Sequence, residues 1–89
     1  MDLRALHHFL VVAEEGGISA AARKVNITQS ALSRQIKAME DELGIELLTR
    51  GAHSVSLTPA GEVIVRNGAR ILRAWDDAVV SARSAGSLI

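Results

Sequence analysis

Apolar side chains near the N-terminus recur at three- and four-residue intervals. Leu3, Leu6, Phe9, Leu10 and Ala13 share one stripe of a helix at that spacing. Asp2 is a good cap for its start, and Gly16-Gly17 stops it. A second, short helix is predicted next, with Ser19 as its cap and Ala21, Ala22 and Val25 on its inner side. The run Ala20-Ala21-Ala22 lets a neighbouring helix approach closely. Asn26-Ile27 makes a turn, because Asn tolerates left-handed backbone and Ile can plug the corner. Thr28 then caps a third helix, on which Leu32, Ile36, Met39 and Leu43 form one apolar face. Gly44 ends it in a left-handed position.

After Gly44 the period changes. Glu46 to Arg50 and Ser54 to Leu57 are short, partly β-branched runs separated by Gly51-Ala52-His53, which reads as a small hairpin, a candidate wing. Thr58-Pro59-Ala60-Gly61-Glu62 has a helix-start pattern: a Thr cap, Pro in the first helical position and an acid in the first turn. The last helix is predicted from Pro59 to about Ser84. Ile64, Ile71, Trp75, Ala78 and Ala82 form a near-heptad seam, with Leu72 and Val79 beside it. Such a seam could fold back on the first helix and leave the chain monomeric. Yet about 26 helical residues span about 39 Å, longer than so small a body, so part of the seam is expected to meet another chain. Ile64, Ile71, Leu72, Trp75 and Val79 are the candidate interface, with Trp75 near its centre. The expected fold is mainly α: a winged helix-turn-helix, with a three-helix core and a small β-hairpin, over residues 1–58, then a linker and dimerisation helix over residues 59–89.

Composition supports helices. Among the 89 residues, 48% are hydrophobic, with one Phe, one Trp and no Tyr, so the core is built from aliphatic side chains. The absence of cysteine excludes a disulfide framework or thiolate metal site and fits a reducing cytosol. No apolar run approaches the ~20 residues of a membrane span, and Met1-Asp2-Leu3-Arg4 lacks a signal-peptide layout. A soluble, cytoplasmic protein without membrane association is expected. Net charge is zero, but the charges are segregated. Residues 17–39 hold four bases (Arg23, Lys24, Arg34, Lys37) and no acid, whereas residues 40–46 hold four acids (Glu40, Asp41, Glu42, Glu46) and no base. Surface potential follows placement rather than the sum, so a phosphate-facing side is compatible with neutrality.

Two short helices joined by a tight turn, the second with a polar and partly basic outer face, make a helix-turn-helix pattern. That outer face holds Gln29, Ser30, Ser33, Arg34 and Lys37. Gln29 can pair with adenine, and Arg34 with guanine or a phosphate. Ser30 and Ser33 are short enough to let the helix sit deep in a groove. Thr28 can donate to a phosphate near the helix N-terminus. Arg23, Lys24 and Lys37 suit backbone phosphates, which position without reading sequence. Arg50, His53 and Ser54 lie at the hairpin, where a wing tracks the minor groove or its phosphates. A polar helix face alone is more often merely solvated. Its combination with the tight turn, the acid-free stretch and the hairpin favours DNA binding. A winged-helix module that holds proteins instead would show apolar or aromatic anchors on that face, and none is there.

Other chemistry has little support. His7 and His8 are adjacent and cannot face the same side of a helix, and His53 is expected to be a neutral, exposed loop histidine at pH 7. A metal site from these is rejected. The acids Glu14-Glu15, Glu40 to Glu42 and Asp76-Asp77 read as solvated helix ends or faces. No nucleophile–base pair or Gly-rich phosphate loop is present, so no enzymatic activity is expected.

The residues Leu3-Arg4-Ala5-Leu6 with Phe9, then Ser19-Ala20-Ala21-Ala22, then Thr28-Gln29-Ser30-Ala31-Leu32-Ser33-Arg34-Gln35-Ile36-Lys37 form an ordered series. It continues through Glu40, Leu43-Gly44, Leu47 and Arg50 to Leu57-Thr58-Pro59-Ala60-Gly61. In order and spacing it resembles the N-terminal DNA-binding domain of LysR-type transcriptional regulators, a bacterial family. The resemblance implies base or backbone contacts from Thr28, Gln29, Ser30, Ser33, Arg34 and the wing Arg50, and antiparallel pairing of two linker helices. It further implies dyad-symmetric promoter DNA, tetramers in a longer parent, and a small-molecule inducer bound by a C-terminal domain absent from this chain. No cofactor is implied for the present residues. Two positions depart from the family pattern. Leu48 stands where Phe is usual, a conservative core change. His53 stands where a basic residue is common, which implies a weaker or pH-dependent wing contact.

Overall fold

The local signals along the chain are realised in a computed structural model that describes residues 1–51 and 54–87. Among these residues the elements run α1 (Leu3–Glu15), α2 (Ile18–Val25), α3 (Gln29–Leu43), β1 (Leu48–Arg50), β2 (Val55–Leu57) and α4 (Pro59–Gly86). The Asp2 carboxylate accepts from the Ala5 N–H at 2.8 Å and caps α1. Thr28 Oγ1 accepts from the Ala31 N–H at 3.0 Å at the head of α3, and Thr58 Oγ1 accepts from the Gly61 N–H at 3.0 Å at the head of α4. Asn26 sits at φ 60° and Gly44 at φ 70°, the left-handed corners predicted after α2 and α3.

The core gathers the predicted stripes. Phe9 and Val12 of α1, Leu32, Ile36 and Met39 of α3, and Leu47 are essentially inaccessible to solvent. Ala21 and Ala22 bring α2 against them, and Val25 and Ile27 pack at the edge. Leu48 is buried too, so a leucine fills the position where the family pattern has Phe.

Several expectations are corrected. Ser19 does not cap α2: the helix begins at Ile18, with Gly17 as N-cap and no side-chain cap bond. Leu43 does not complete the buried face of α3; it is 40% exposed, because the helix has run past the body by its last turn. The hairpin strands are shorter than predicted, with Leu48 opposite Leu57, Thr49 opposite Ser56 and Arg50 opposite Val55. Residues 46 and 47 are committed elsewhere. The Leu47 and Leu48 N–H groups donate to Glu40 Oε2 at 2.7 and 3.2 Å. Thr58 Oγ1 donates to the Glu46 carbonyl, and the Thr58 N–H donates to that of Leu47. Glu40 is therefore no solvated acid but an acceptor that closes the turn from α3 into the wing. α4 runs two residues beyond Ser84.

α4 splits into two stretches. Its first turns pack on the body, with Gly61 and Gly68 buried and Ile64 and Val65 against the core. Beyond Gly68 none of its described residues is buried, and the whole reaches 55 Å along its longest axis. No helix among the described residues is long and apolar enough to cross a membrane.

Candidate nucleic-acid interface

α2, the Asn26 turn and α3 hold the predicted polar face outward. Thr28, Gln29, Ser30, Arg34 and Lys37 are exposed and Ser33 is half-buried. Thr28 spends an oxygen lone pair on the Ala31 N–H and keeps its hydroxyl proton for an acceptor outside the helix. The wing lies beside this face, anchored where the Val55 N–H donates to the Gly16 carbonyl at 3.3 Å and closed where the Gly51 N–H donates to that of Ser54 at 2.8 Å.

Between α2, α3 and the wing lies an open cleft of about 380 Å³, to which Ser19, Gln29, Ser33, Arg50 and Ser54 contribute. The fold thus brings Gln29 and Ser33 of the third helix to the same opening as Arg50 of the wing. Across it Ser19 Oγ donates to Gln29 Oε1 at 2.9 Å. Residue spacing did not reveal this bond, although a hydroxyl at the start of α2 was its one visible sign.

The cations divide into two sets. Arg23, Arg34 and Arg50 are exposed and have no ion-pair partner among the described residues. Lys24 pairs with Glu15 at 3.2 Å and Glu14 at 3.8 Å, and Lys37 with Asp41 at 3.1 Å. The hydrogen bond to Glu15, then the charges of Glu14 and Glu15, raise the Lys24 pKa above its ordinary value. Asp41 does the same for Lys37, first by hydrogen bond and then by charge. Exposed pairs of this kind are weak, so an incoming phosphate can compete for either ammonium. His53 lies outside the described residues.

Behind the face, His8 is buried and its Nδ1–H donates to Gln35 Oε1 at 2.6 Å, tying α1 to α3. The two residues bracket no sequence spacing that would have paired them. Of the seam residues, Ile64 packs on the core, Leu72 and Val79 are half-buried, and Ile71 and Trp75 are 49% and 54% exposed. Ile64 and Ile71 also line an apolar groove with Leu3, Leu6 and Gly68. Val63 and Val80, also exposed, lie off the seam.

Comparison with known proteins agrees with this architecture. Residues 3–62 match the family model described as bacterial regulatory helix-turn-helix protein, lysR family. The chain is 41% identical over 85 residues to the HTH-type transcriptional regulator ClcR of Pseudomonas putida, covering 96% of this chain and 29% of that one. It therefore spans less than a third of that relative's length. Among solved structures, the CbnR DBD–DNA complex superposes with a TM-score of 0.93 at 35% identity, covering 97% of this chain and 99% of that one. The BenM DBD complex with benA site 1 DNA also gives 0.93, at 40% identity and 98% of each chain. By fold, by motif order and by these matches, the chain belongs to the lysR family of bacterial regulatory helix-turn-helix proteins.

Proposed function

We propose that this chain binds duplex DNA sequence-specifically as the DNA-binding part of a LysR-type transcriptional regulator and has no catalytic role. The observation that carries the reading is the convergence of Gln29 and Ser33 on α3 with Arg50 of the wing around one open cleft. Similar folds with DNA in the CbnR and BenM structures support it. In this reading α3 enters the major groove. Gln29, Ser30, Ser33 and Arg34 meet base edges there, and Thr28 donates to a phosphate. Arg50 and His53 follow the minor groove or backbone, and Arg23, Lys24 and Lys37 hold phosphates, the two lysines by exchanging a carboxylate for a phosphate oxygen.

Residues 1–58 form the DNA-binding unit and residues 59–89 the linker through which two copies pair, with Ile71 and Trp75 as its exposed anchors. Two units then face a dyad-symmetric promoter site, and a longer parent carries the tetramer contacts and the small-molecule inducer site. Its compartment is the bacterial cytoplasm. The polar outer face of α3 offers no apolar anchor of the kind a protein-docking surface uses.

Selection from a randomised duplex library, followed by a salt series on the selected sites, tests this. A dyad-symmetric motif is expected, with log K falling linearly in log salt. Arg34→Ala is expected to lose selectivity at one base pair per half-site by about 1–3 kcal/mol. Absence of any enriched motif, with binding insensitive to salt, would refute the reading.

A further inference from the structure

We propose that Ser19 is a specificity-positioning residue: from α2 its hydroxyl holds the amide of Gln29 on α3 in the orientation that reads adenine. The inference rests on the DNA-binding reading above and extends it to a residue outside the recognition helix. Ser19 is exposed and makes no cap bond to its own helix. Its Oγ instead donates to Gln29 Oε1 at 2.9 Å, across the turn that joins the two helices. Both residues line the cleft shared with Ser33 and Arg50.

The chemistry of the amide makes this bond consequential. A glutamine amide has two acceptor sites on its oxygen and two donors on its nitrogen. Ser19 occupies one acceptor site and draws the oxygen toward α2, leaving one acceptor and two donors. Adenine presents one N6–H donor beside one N7 acceptor in the major groove, whereas guanine presents two acceptors. Held in a fixed orientation, the amide offers its remaining acceptor beside one donor, the pair that adenine takes, and that order distinguishes A·T from its inverse. Glutamine is among the side chains that lose most rotamer freedom when ordered. A partner that orders it before DNA arrives lowers that cost for a base that the held orientation fits.

The test uses the full 89-residue chain and its Ser19→Ala, Ser19→Thr and Gln29→Ala variants, each put through the library selection, salt series and thermal unfolding. Ser19→Ala is expected to weaken the adenine preference by about three- to tenfold, the worth of one side-chain hydrogen bond. The loss should fall at the same base pair that Gln29→Ala affects. Ser19→Thr retains the hydroxyl and the preference, and the salt slope and unfolding midpoint of Ser19→Ala stay at the parental values. An unchanged base preference in Ser19→Ala, beside an altered one in Gln29→Ala, overturns the proposal. So does a loss spread evenly over the site, or one that tracks a lower unfolding midpoint. A parent chain that enriches no motif refutes the DNA-binding reading itself, a failure separate from that of Ser19 alone.

Discussion

Replacing Gly61 with alanine sets two effects of opposite sign against each other. Alanine is favoured over glycine inside a helix by about 0.8–1 kcal/mol, and Gly61 lies in the first turn of α4, so propensity alone raises stability. The added methyl, however, would fall well inside van der Waals contact distance of the Leu47 carbonyl oxygen. It would also sit 3.1 Å from the Leu47 carbonyl carbon and 3.2 Å from Leu57 Cδ2. The obstacle is backbone, and that same carbonyl accepts from the Thr58 N–H at 3.0 Å. Making room therefore moves the chain that joins α3 to the wing and loosens a bond at the base of the hairpin. Overpacking costs about 1–3 kcal/mol, and a lost bond at a buried acceptor about 1–3 kcal/mol more. After the propensity gain, a net loss on the order of 1–5 kcal/mol remains. For a chain of this size each kcal/mol moves the midpoint by about 4–8 °C, so a mid-range loss of about 3 kcal/mol corresponds to a fall of about 12–24 °C. Thermal unfolding followed by circular dichroism at one fixed protein concentration measures it. Gly68→Ala, whose methyl meets the movable end of Leu6 at 2.9 Å, is expected to lose less, and Gly86→Ala, with nothing within 4 Å, to lose nothing. A Gly61→Ala midpoint at or above the parental value would refute the close-approach argument.

Three further outcomes follow from the same structure. Glu40→Ala leaves the Leu47 and Leu48 N–H groups without their acceptor and is expected to cost about 1–3 kcal/mol in urea unfolding; Glu40→Gln keeps an acceptor oxygen and should fall between, and parental stability in the alanine variant would be the refuting result. Because the pKa values of Lys24 and Lys37 are raised by their carboxylates, these pairs are intact at neutral pH and, on the alkaline side, persist through the ordinary lysine range and are lost as pH rises through the raised values. Glu15→Gln should bring Lys24 down, Asp41→Asn should bring Lys37 down, and NMR titration of each Nζ reads the change. Sedimentation should show a dimer for the parent chain and a monomer for Trp75→Glu, since Trp75 is 54% exposed on the single chain; a monomeric parent at tens of micromolar would remove the linker seam as an interface.

Much of this protein was legible along the chain because the signals were local. Apolar periodicity depends on neighbours three and four residues apart, and a cap depends on residues within one turn. Asp2, Thr28, Thr58, Asn26 and Gly44 therefore stand where the sequence placed them. Leu43 continued the period but not the burial, because a period cannot say where the neighbouring body stops. Ser19 was misplaced for a related reason: a hydroxyl near a helix start looks like a cap unless its competing partner, ten residues away, is known. The polar set Gln29, Ser30, Ser33 and Arg34 could be read from composition and position on α3. The meeting of Gln29 and Ser33 with Arg50 could not, since it depends on the wing being tied to the Gly16 carbonyl. His8 with Gln35, Glu40 with the turn into β1, and the lysines with their carboxylates were likewise decided by packing. Sequence by itself determined the elements, the ends that a local cap marks and the chemistry they offer. Tertiary structure decided which polar groups face one another and which are already occupied, because hydrogen bonds and ion pairs depend on angstrom distances between segments whose spacing along the chain carries no such information.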